Sequence, residues 1–533
     1  MDAIDLKMMP IMNLHLAQPI YTAQTIQAWE QRWFAQGNSS YGLMQQAAWL
    51  MAVEIFTRIQ TSVSIDQPCT ILLWCGRGNN AGDGYLIAKY LIDLAKHNDA
   101  TQNENKQNGE ARIQIAIFAP QLPTTADALR AREAALDAKI PLIDCIEQLQ
   151  HIQAQIHIDA LFGIGLTRML NQSDQDVIAK FNTRSGFKVS VDIPSGLHPD
   201  TGQAMPIAVR ADWTLCLLGL KLGVLIGQAK AYVGELQCVD LIPQDHALEA
   251  VAKIDFAPPH LPKRSPFAHK GDFGHVLVVG GHASMGGAVI MAAESAMATG
   301  AGKLTVLCHG KHHAAILARS PNIMVLDIDT LTQADLQQLL SQVDTVCFGM
   351  GLGRDDWAKH HFQSVIEELF NQNNRSKLKD IILDADALWW LATLDAQHFP
   401  LSAHFIMTPH SAEAGRLLGC SVAEIEADRL KAIQELHQRY GSTWVLKGAA
   451  SLSLAQDRLN VCAFGNAGMA TAGMGDVLAG MIAGLKAQFS DAITVAEVVA
   501  LHALAGDILA EQGERGLQAH QMKAAIYQVV NAG

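Results

Sequence analysis

Residues 70–85 read Thr-Ile-Leu-Leu-Trp-Cys-Gly-Arg-Gly-Asn-Asn-Ala-Gly-Asp-Gly-Tyr, a short unbroken apolar run that passes straight into a glycine-rich turn. An apolar run that does not alternate suits a strand covered on both faces. Gly76, Gly78, Gly82 and Gly84 would let the backbone come close to a ligand, and a helix opening there offers free N–H groups to an anion. The spacing of Gly76, Gly78 and Gly82 is one residue too long for the dinucleotide fingerprint, and no acidic residue ends the next apolar run, Ile113–Phe118, to hold a ribose. A tight strand-to-helix turn accounts for the glycines alone. Asn79, Asn80 and Asp83 favour a site, because they put three oxygen-bearing side chains in one short loop.

Outward from this stretch, helical patterns cover Thr22–Phe34 and Tyr41–Ile59, and strand-like runs recur at Thr70–Trp74, Ile113–Phe118, His157–Phe162, Lys188–Ile193, Trp213–Leu218 and Glu235–Leu241. Helices between such strands suit parallel crossovers, so the first half is expected to be a doubly wound α/β sheet. Asp99–Glu110 is polar and asparagine-rich and reads as an exposed loop with no chemical role. From Pro243 to Ser265 the pattern weakens and Pro258, Pro259 and Pro262 cluster, which marks a linker. A second series follows at His275–Val279, Leu304–Cys308, Thr345–Phe348, Asp380–Asp384, Phe405–Thr408 and Thr443–Lys447. The expected layout is one α/β domain over residues 1–245, a linker over 246–265 and a second α/β domain over 266–533.

Composition narrows the function. A chain of 533 residues with 49% apolar and 17% charged residues buries large cores and is too long for one. The net charge of −13 argues against nucleic acid and against an anionic membrane surface, leaving small molecules as partners. The nine cysteines are scattered without a C-x-x-C pair, which supports neither a zinc ribbon nor a disulfide framework. Met1–His15 lacks a continuous apolar stretch and does not read as a secretory signal, and Trp213–Ile226 is broken by Lys221 and too short to span a bilayer. A cytoplasmic protein is expected, as a homo-oligomer.

Two further strand ends in the first half carry polar groups. Asp159 lies in His157-Ile-Asp-Ala-Leu-Phe-Gly-Ile-Gly-Leu166, and Asp192 and Ser195 lie in Ser190-Val-Asp-Ile-Pro-Ser-Gly-Leu197. Ligands of an open parallel sheet sit at the carboxyl ends of its strands, where these segments converge. Ser195 lacks the G-x-S-x-G context of a hydrolase nucleophile. Asp192 before Pro-Ser-Gly also suits a simple turn cap.

Together these segments closely resemble the epimerase domain of the NAD(P)H-hydrate repair family, from about Tyr21 to Asp240. The resemblance implies that Asn79, Asn80, Ala81, Gly82 and Asp83, with Gly163, Ile164, Gly165, Leu166, Thr167, Arg168 and Met169, line the hydrated nicotinamide nucleotide. It implies that Asn80, Asp159 and Ser195 hold a potassium ion (K+) and that Asp192 contacts the substrate as the catalytic group. Oxygen-only ligands fit a hard monovalent cation. Ala81 stands where the family loop commonly has glycine.

In the second half, Gly465-Asn-Ala-Gly-Met-Ala-Thr-Ala-Gly-Met-Gly-Asp-Val-Leu-Ala-Gly480 places Gly473 and Gly475 before Asp476 and an apolar helix. Free N–H groups and a positive helix end beside one carboxylate suit phosphoryl transfer, although Asp476 could serve merely as an N-cap. No Walker loop is present. Around this segment lie Gly280–Ala288, Gly349–Gly353, Asp384–Leu388, Thr408–Glu413 and Lys447–Ser451, each starting at an expected strand end. His410 alone would be structural, and Asp384 and Asp386 could cap a helix.

As a set, from about Lys270 onward, these segments resemble the dehydratase domain of the same family, within the ribokinase-like superfamily. That implies Ala288, Gly353, His410 and Asp476 at the hydrated substrate, Asp476 as catalytic base, and Lys447, Gly448, Ala449, Ala450, Ser451 and Gly475 at the adenine nucleotide. ADP (or ATP) is the implied cosubstrate, with Mg2+ to neutralise the transferring phosphoryl. Ala467, Ala472 and Met474 depart from the usual family pattern; the backbone donors survive, so shifted affinity is expected rather than loss of activity. The expected function is epimerisation of the R and S hydrates of NADH and NADPH and nucleotide-dependent dehydration of the S form. Two alternatives stay open on these residues: a small-metabolite kinase with an accessory nucleotide-binding domain, and a first half that binds without catalysis.

Overall fold

The computed structural model describes residues 17–62, 69–102, 113–371, 377–394, 402 and 404–532. The reading of Met1–His15 falls outside them, as do residues 103–110 of the expected loop. The first part of that loop is not a loop: the helix Asn79–Gln102 runs through it. The chain divides into two compact units, Met1–Lys253 and Ile254–Gly533. This boundary lies inside the stretch expected as a linker, which also holds a four-residue strand, Ala252–Asp255. Its buried and exposed residues alternate, a pattern too short to stand out beside the prolines.

The first unit carries a seven-stranded parallel sheet in the order Leu142–Ile143, Ile113–Phe118, Cys69–Cys75, Ile156–Ala160, Phe187–Val191, Trp213–Leu217, Glu235–Val239. The alternate residues of Cys69–Cys75 explain its unbroken apolarity. Ile71, Leu73 and Cys75 enter one core with Tyr85, Leu86 and Met51, whereas Leu72 and Trp74 enter another with Phe118, Ile178 and Phe181. Trp74 meets the rings of Phe118 and Phe181 edge-on at 5.1 and 5.3 Å. The chain winds to one side after Cys69–Cys75 and to the other from Ile156–Ala160, so the switch point lies between these two strands. A separate parallel pair joins Ala17–Tyr21 to Leu220–Lys221.

In the second unit the parallel order is Met324–Asp327, Lys303–Cys308, His275–Val279, Thr345–Phe348, Asp380–Leu383, Phe405–Met407, Thr443–Leu446. Two antiparallel strands that the sequence reading missed, Leu452–Ala455 and Arg458–Cys462, extend it beyond Thr443–Leu446. The switch point lies between His275–Val279 and Thr345–Phe348. The helix Met474–Phe489 is buried along most of its length and packs on Gly286–Ala298. A Cβ at Gly480 would stand 2.1 Å from the Ala292 carbonyl oxygen, so glycine there sets how closely the two helices approach.

Candidate active sites

At the switch point of the first unit a cavity of about 660 Å³ opens. Asn79, Asn80, Asp83, Gly163, Ile164, Gly165, Leu166, Thr167, Arg168 and Asp192, all expected from sequence, line it. Three other residues expected at the substrate do not. Ala81 is fully buried in the core, a Cβ at Gly82 would meet Met44 Sδ at 2.6 Å, and Met169 is 62% exposed. The glycines also need a correction. A Cβ at Gly76 would stand 1.9 Å from the Leu161 carbonyl oxygen, and one at Gly84 would stand 2.7 Å from Ala160 Cβ. Gly76, Gly82 and Gly84 therefore let protein pack on protein, and of these four loop glycines Gly78 alone borders the cavity with open space beside it.

The three residues expected at the cation meet around one carbonyl. Ser195 Oγ donates to Asp159 Oδ1 at 2.6 Å and lies 3.1 Å from the Phe162 carbonyl oxygen, to which Asn80 Nδ2 also donates at 3.1 Å. Asp159 Oδ2 accepts from the Ser195 N–H and from Ser190 Oγ at 2.8 and 2.9 Å. Burial nonetheless pushes the Asp159 carboxyl up to about 6, with the Ser195 hydrogen bonds opposing.

Asp192 follows the strand Phe187–Val191 with φ +66°, a left-handed conformation for a non-glycine residue. Its Oδ1 accepts from the Leu217 N–H at 3.1 Å and forms an ion pair with Lys221. Lys221 is 1% exposed and also donates to the Leu217 carbonyl at 2.6 Å. Burial pulls the Lys221 ammonium down; the charges of Asp192 and Cys216 outweigh it and hold the group above its ordinary value.

Two more carboxyls share the cavity. Burial, then the charges of Asp192 and Glu30, push Asp83 well above the usual carboxylate range. Glu30 is pushed up to about 7 by burial and then by Asp192, against the pull of Lys221. Sequence reasoning missed Lys221 and Glu30. Lys221 passed as the interruption of an apolar stretch. Glu30 carried a signal that could have been used: it stands four residues after buried Ile26 in the helix Ala23–Ala35, one turn along the same side.

In the second unit Lys447, at the end of Thr443–Leu446, donates to Asp384 Oδ1 at 2.7 Å and lies 3.8 Å from Glu413 Oε2. Thr408 Oγ1 donates to the same Asp384 oxygen at 2.9 Å. Burial pulls Lys447 down, but the charges of Asp384 and Glu413 more than offset it. A Cβ at Gly475 would stand 3.0 Å from Lys447 Nζ and 3.5 Å from Asp384 Oδ2, so the turn before Asp476 rides over this ion pair.

The N-cap of Met474–Phe489 is Gly473, with φ +95°, and Asp476 sits inside the first turn. The capping role is therefore not its own, and its carboxyl accepts no hydrogen bond among the described residues. Burial, then the charge of Asp384, push it up to about 7, against the pull of Lys447. Asp386 accepts from the Gly353 N–H at 2.9 Å and from Arg354 Nε at 2.9 Å, which ties expected substrate contact Gly353 to this corner. Ala288 lies in the first turn of Gly286–Ala298, close to Gly351. His410 does cap a helix: its Nδ1 accepts from the Ala412 and Glu413 N–H groups, while Glu413 reaches back to the His410 N–H at 2.8 Å. Burial lowers the His410 imidazole below its ordinary value. The loop Lys447–Ser451 joins Thr443–Leu446 to the antiparallel strand Leu452–Ala455, with Gly448 against the buried Arg429 guanidinium.

Family models match both units: one described as YjeF-related protein N-terminus over residues 40–223, and one described as NAD(P)H-hydrate dehydratase over residues 276–528. A bifunctional NAD(P)H-hydrate repair enzyme of Coxiella burnetii is 34% identical over 86% of this chain and 90% of its own. One of Escherichia coli is 36% identical over 86% of this chain and 85% of its own. Among solved structures, an ADP/ATP-dependent NAD(P)H-hydrate dehydratase from Bacillus subtilis, co-crystallized with ATP/Mg2+, is 24% identical with a TM-score of 0.43, covering 51% of this chain and 93% of its own.

Proposed function

The chain belongs to the bifunctional NAD(P)H-hydrate repair enzymes, and from that premise we propose how its two sites divide the repair. The first unit is the NAD(P)H-hydrate epimerase and the second the NAD(P)H-hydrate dehydratase. The hydrate carries a hydroxyl on a ring carbon next to the ring nitrogen. In the epimerase, water leaves that carbon through an iminium-like state and returns to the other face. Asp192, on the cavity wall and oriented by Lys221 and the Leu217 N–H, moves the proton. K+ fits the group around the Phe162 carbonyl: Asn80, Asp159 and Ser195 supply hard oxygen donors, and the carbonyl is a fourth. The ion when bound would supply fixed positive charge beside the hydrate.

In the dehydratase, Asp476 accepts the proton of the S-hydrate hydroxyl while the hydroxyl oxygen bonds to the terminal phosphorus of ADP (or ATP), whose bond to the bridging oxygen breaks to release AMP (or ADP). Phosphate then leaves the ring carbon, the neighbouring ring carbon loses a proton, and the dihydronicotinamide double bond is restored. Lys447 to Ser451 and the Gly475 N–H receive the nucleotide, and Ala288, Gly353 and His410 the hydrate. Asp384 and Glu413 offer oxygens to Mg2+, yet Lys447 already lies against both. No closed protein cage is built, so the ion is expected to enter on the nucleotide's phosphates, supplying charge neutralisation.

The observation that carries this reading is the pair of sites at the carboxyl ends of the two parallel sheets, each with a lysine set against a buried aspartate beside residues expected from sequence. Free cysteines throughout accord with a cytoplasmic home, and no helix among the described residues is long and apolar enough to cross a membrane. The test mixes purified protein with both hydrate epimers and ADP or ATP and follows recovery of dihydronicotinamide absorbance. Full recovery of both epimers is expected. Recovery of the S form alone would remove the epimerase, and a stable phosphoester in place of dihydronicotinamide would turn the second unit into a kinase.

A further inference from the structure

We propose that Glu30 is the second acid–base catalyst of the epimerase, donating the proton that lets the hydroxyl leave as water while Asp192 accepts one from the water that returns. The proposal rests on the reading of the first unit as an epimerase and adds a residue to its chemistry. Inversion by loss and return of water needs a donor on the face that water leaves and an acceptor on the face it rejoins. One carboxylate held by one lysine serves only one of these needs.

Glu30 and Asp192 line the same cavity from different elements, one on the helix Ala23–Ala35 and the other after the strand Phe187–Val191. Asp192 takes the cation: Lys221 and the Leu217 N–H both bind its Oδ1. Glu30 has no hydrogen-bond or ion-pair partner among the described residues, so its carboxyl is free to meet a ligand. The charged and titratable groups around it are Asp192, Lys221, Asp83 and, on the cavity wall, Arg168. Burial and then the charge of Asp192, against the pull of Lys221, push Glu30 up to about 7, near the pH at which an acid catalyst both holds and releases its proton. Asp83, the other carboxyl without a cation, is buried and is likewise pushed well above the usual carboxylate range, by burial first and then by the charges of Asp192 and Glu30.

The carbon–oxygen bond breaks with its electron pair on oxygen, which takes the Glu30 proton and leaves as water. The ring-nitrogen lone pair becomes the second bond of the iminium. Water then adds through oxygen to the other face, its pair forming the new carbon–oxygen bond while the nitrogen recovers its own. The excess proton passes to Asp192, and proton exchange through cavity water returns it to Glu30. No oxidant or reductant takes part.

The test uses the full chain with Glu30→Gln and Glu30→Asp, separated hydrate epimers, and H2¹⁸O as solvent. Epimer exchange above the uncatalysed background and ¹⁸O incorporation are measured as kcat/KM from pH 5.5 to 9, with dehydration of the S hydrate as control. Wild type should lose rate about tenfold per unit above about pH 7, as the acid ionises. Glu30→Gln should lose about 10²–10⁴-fold near pH 6.5 and lose that limb, with S-hydrate dehydration within about twofold of wild type. Glu30→Asp should recover part of the rate with the limb moved. Wild-type exchange in Glu30→Gln overturns the proposal, as does an unmoved limb in either variant. If Glu30→Gln fails to fold, Glu30→Asp decides by the position of its limb. Absence of exchange in the wild type would instead sink the epimerase reading.

Discussion

Each half of this molecule sets a lysine against a buried aspartate at the carboxyl end of a parallel sheet, but the two lysines serve different partners. In the first unit Lys221 pairs with Asp192, the group assigned to the chemistry. In the second, Lys447 pairs with Asp384, and the group assigned to the chemistry, Asp476, stands beside the pair without a hydrogen bond. A base bonded to its own ammonium is held in place. A base set next to a neutralised neighbour is left to titrate, and burial with the residual charge of Asp384 brings it up to about 7. The same three ingredients thus give an oriented carboxylate in one site and a responsive one in the other.

The largest effects should come from removing each carboxylate in turn. Asp192→Asn should abolish epimer exchange and leave dehydration of the S hydrate intact. Asp476→Asn should lower dehydratase kcat by about 10²–10⁴-fold, the span of a general base, while epimer exchange persists. ADP binding to Asp476→Asn, measured by calorimetry, should change little, because Lys447 to Ser451 are untouched. Epimerisation at the wild-type rate in the first variant would remove Asp192 from the mechanism. Near-normal turnover in the second would leave Asp476 a structural residue.

Acidity should drive the two activities in opposite directions. Asp476 must lose its proton to act as base, so dehydratase kcat/KM should rise with pH until about 7 and then level. Glu30 must keep its proton to act as acid, so epimerase kcat/KM should be level up to about 7 and then fall. Across pH 6 to 8 the ratio of epimerase to dehydratase should drop by about 100-fold, tenfold for each unit. Parallel profiles would break the contrast between the two sites.

The architecture was legible because both faces of each central strand are covered. Leu72 and Trp74 feed one core while Ile71 and Leu73 feed the other, and that gives a run no surface strand would show. The antiparallel strands Leu452–Ala455 and Arg458–Cys462 were not legible, since each spans only four or five residues. At the sites, residues carried by loop motifs were found: Asn79, Asn80, Asp159, Asp192, Ser195 and Asp476. Lys221 and Glu30 were not, because the residues with which they share the cavity are distant in sequence. Tyr21 pairs in register with Lys221, so the lysine's place depends on a strand two hundred positions upstream, which no local pattern reveals.

Glycines sharpen the comparison at smaller cost. Gly76→Ala would drive a Cβ to 1.9 Å from the Leu161 carbonyl oxygen, a backbone atom that cannot swing away. We expect about 1–3 kcal/mol of destabilisation in the first unit, read by denaturant melts. Gly475→Ala would place its Cβ 3.0 Å from Lys447 Nζ, the far end of a flexible chain. There stability should hardly move, while dehydratase kcat/KM falls about tenfold as Lys447 shifts, about 1.4 kcal/mol in the barrier. Equal melting losses in both variants would show that the two glycines do the same work.

The smallest effect should follow from parting the halves altogether. The buried clusters of the first unit are built from residues between Tyr21 and Leu248, and that of the second from residues between Leu261 and Val530. Every residue assigned to epimerisation lies before Lys253 and every one assigned to dehydration after Ile254. A chain cut after Pro258 leaves the strand Ala252–Asp255 whole on the first fragment and breaks none of these three clusters. If each unit folds on its own core, residues 1–258 should epimerise and residues 259–533 should dehydrate the S hydrate, each within about twofold of the intact chain. Circular dichroism checks the folding of each fragment, and a mixture of the two should clear both hydrates. A folded fragment that has lost its activity would show that its site needs the joined chain. An unfolded fragment would show that the cores are not independent. Either result would overturn the division of labour at the point where the two halves were taken to be separate enzymes.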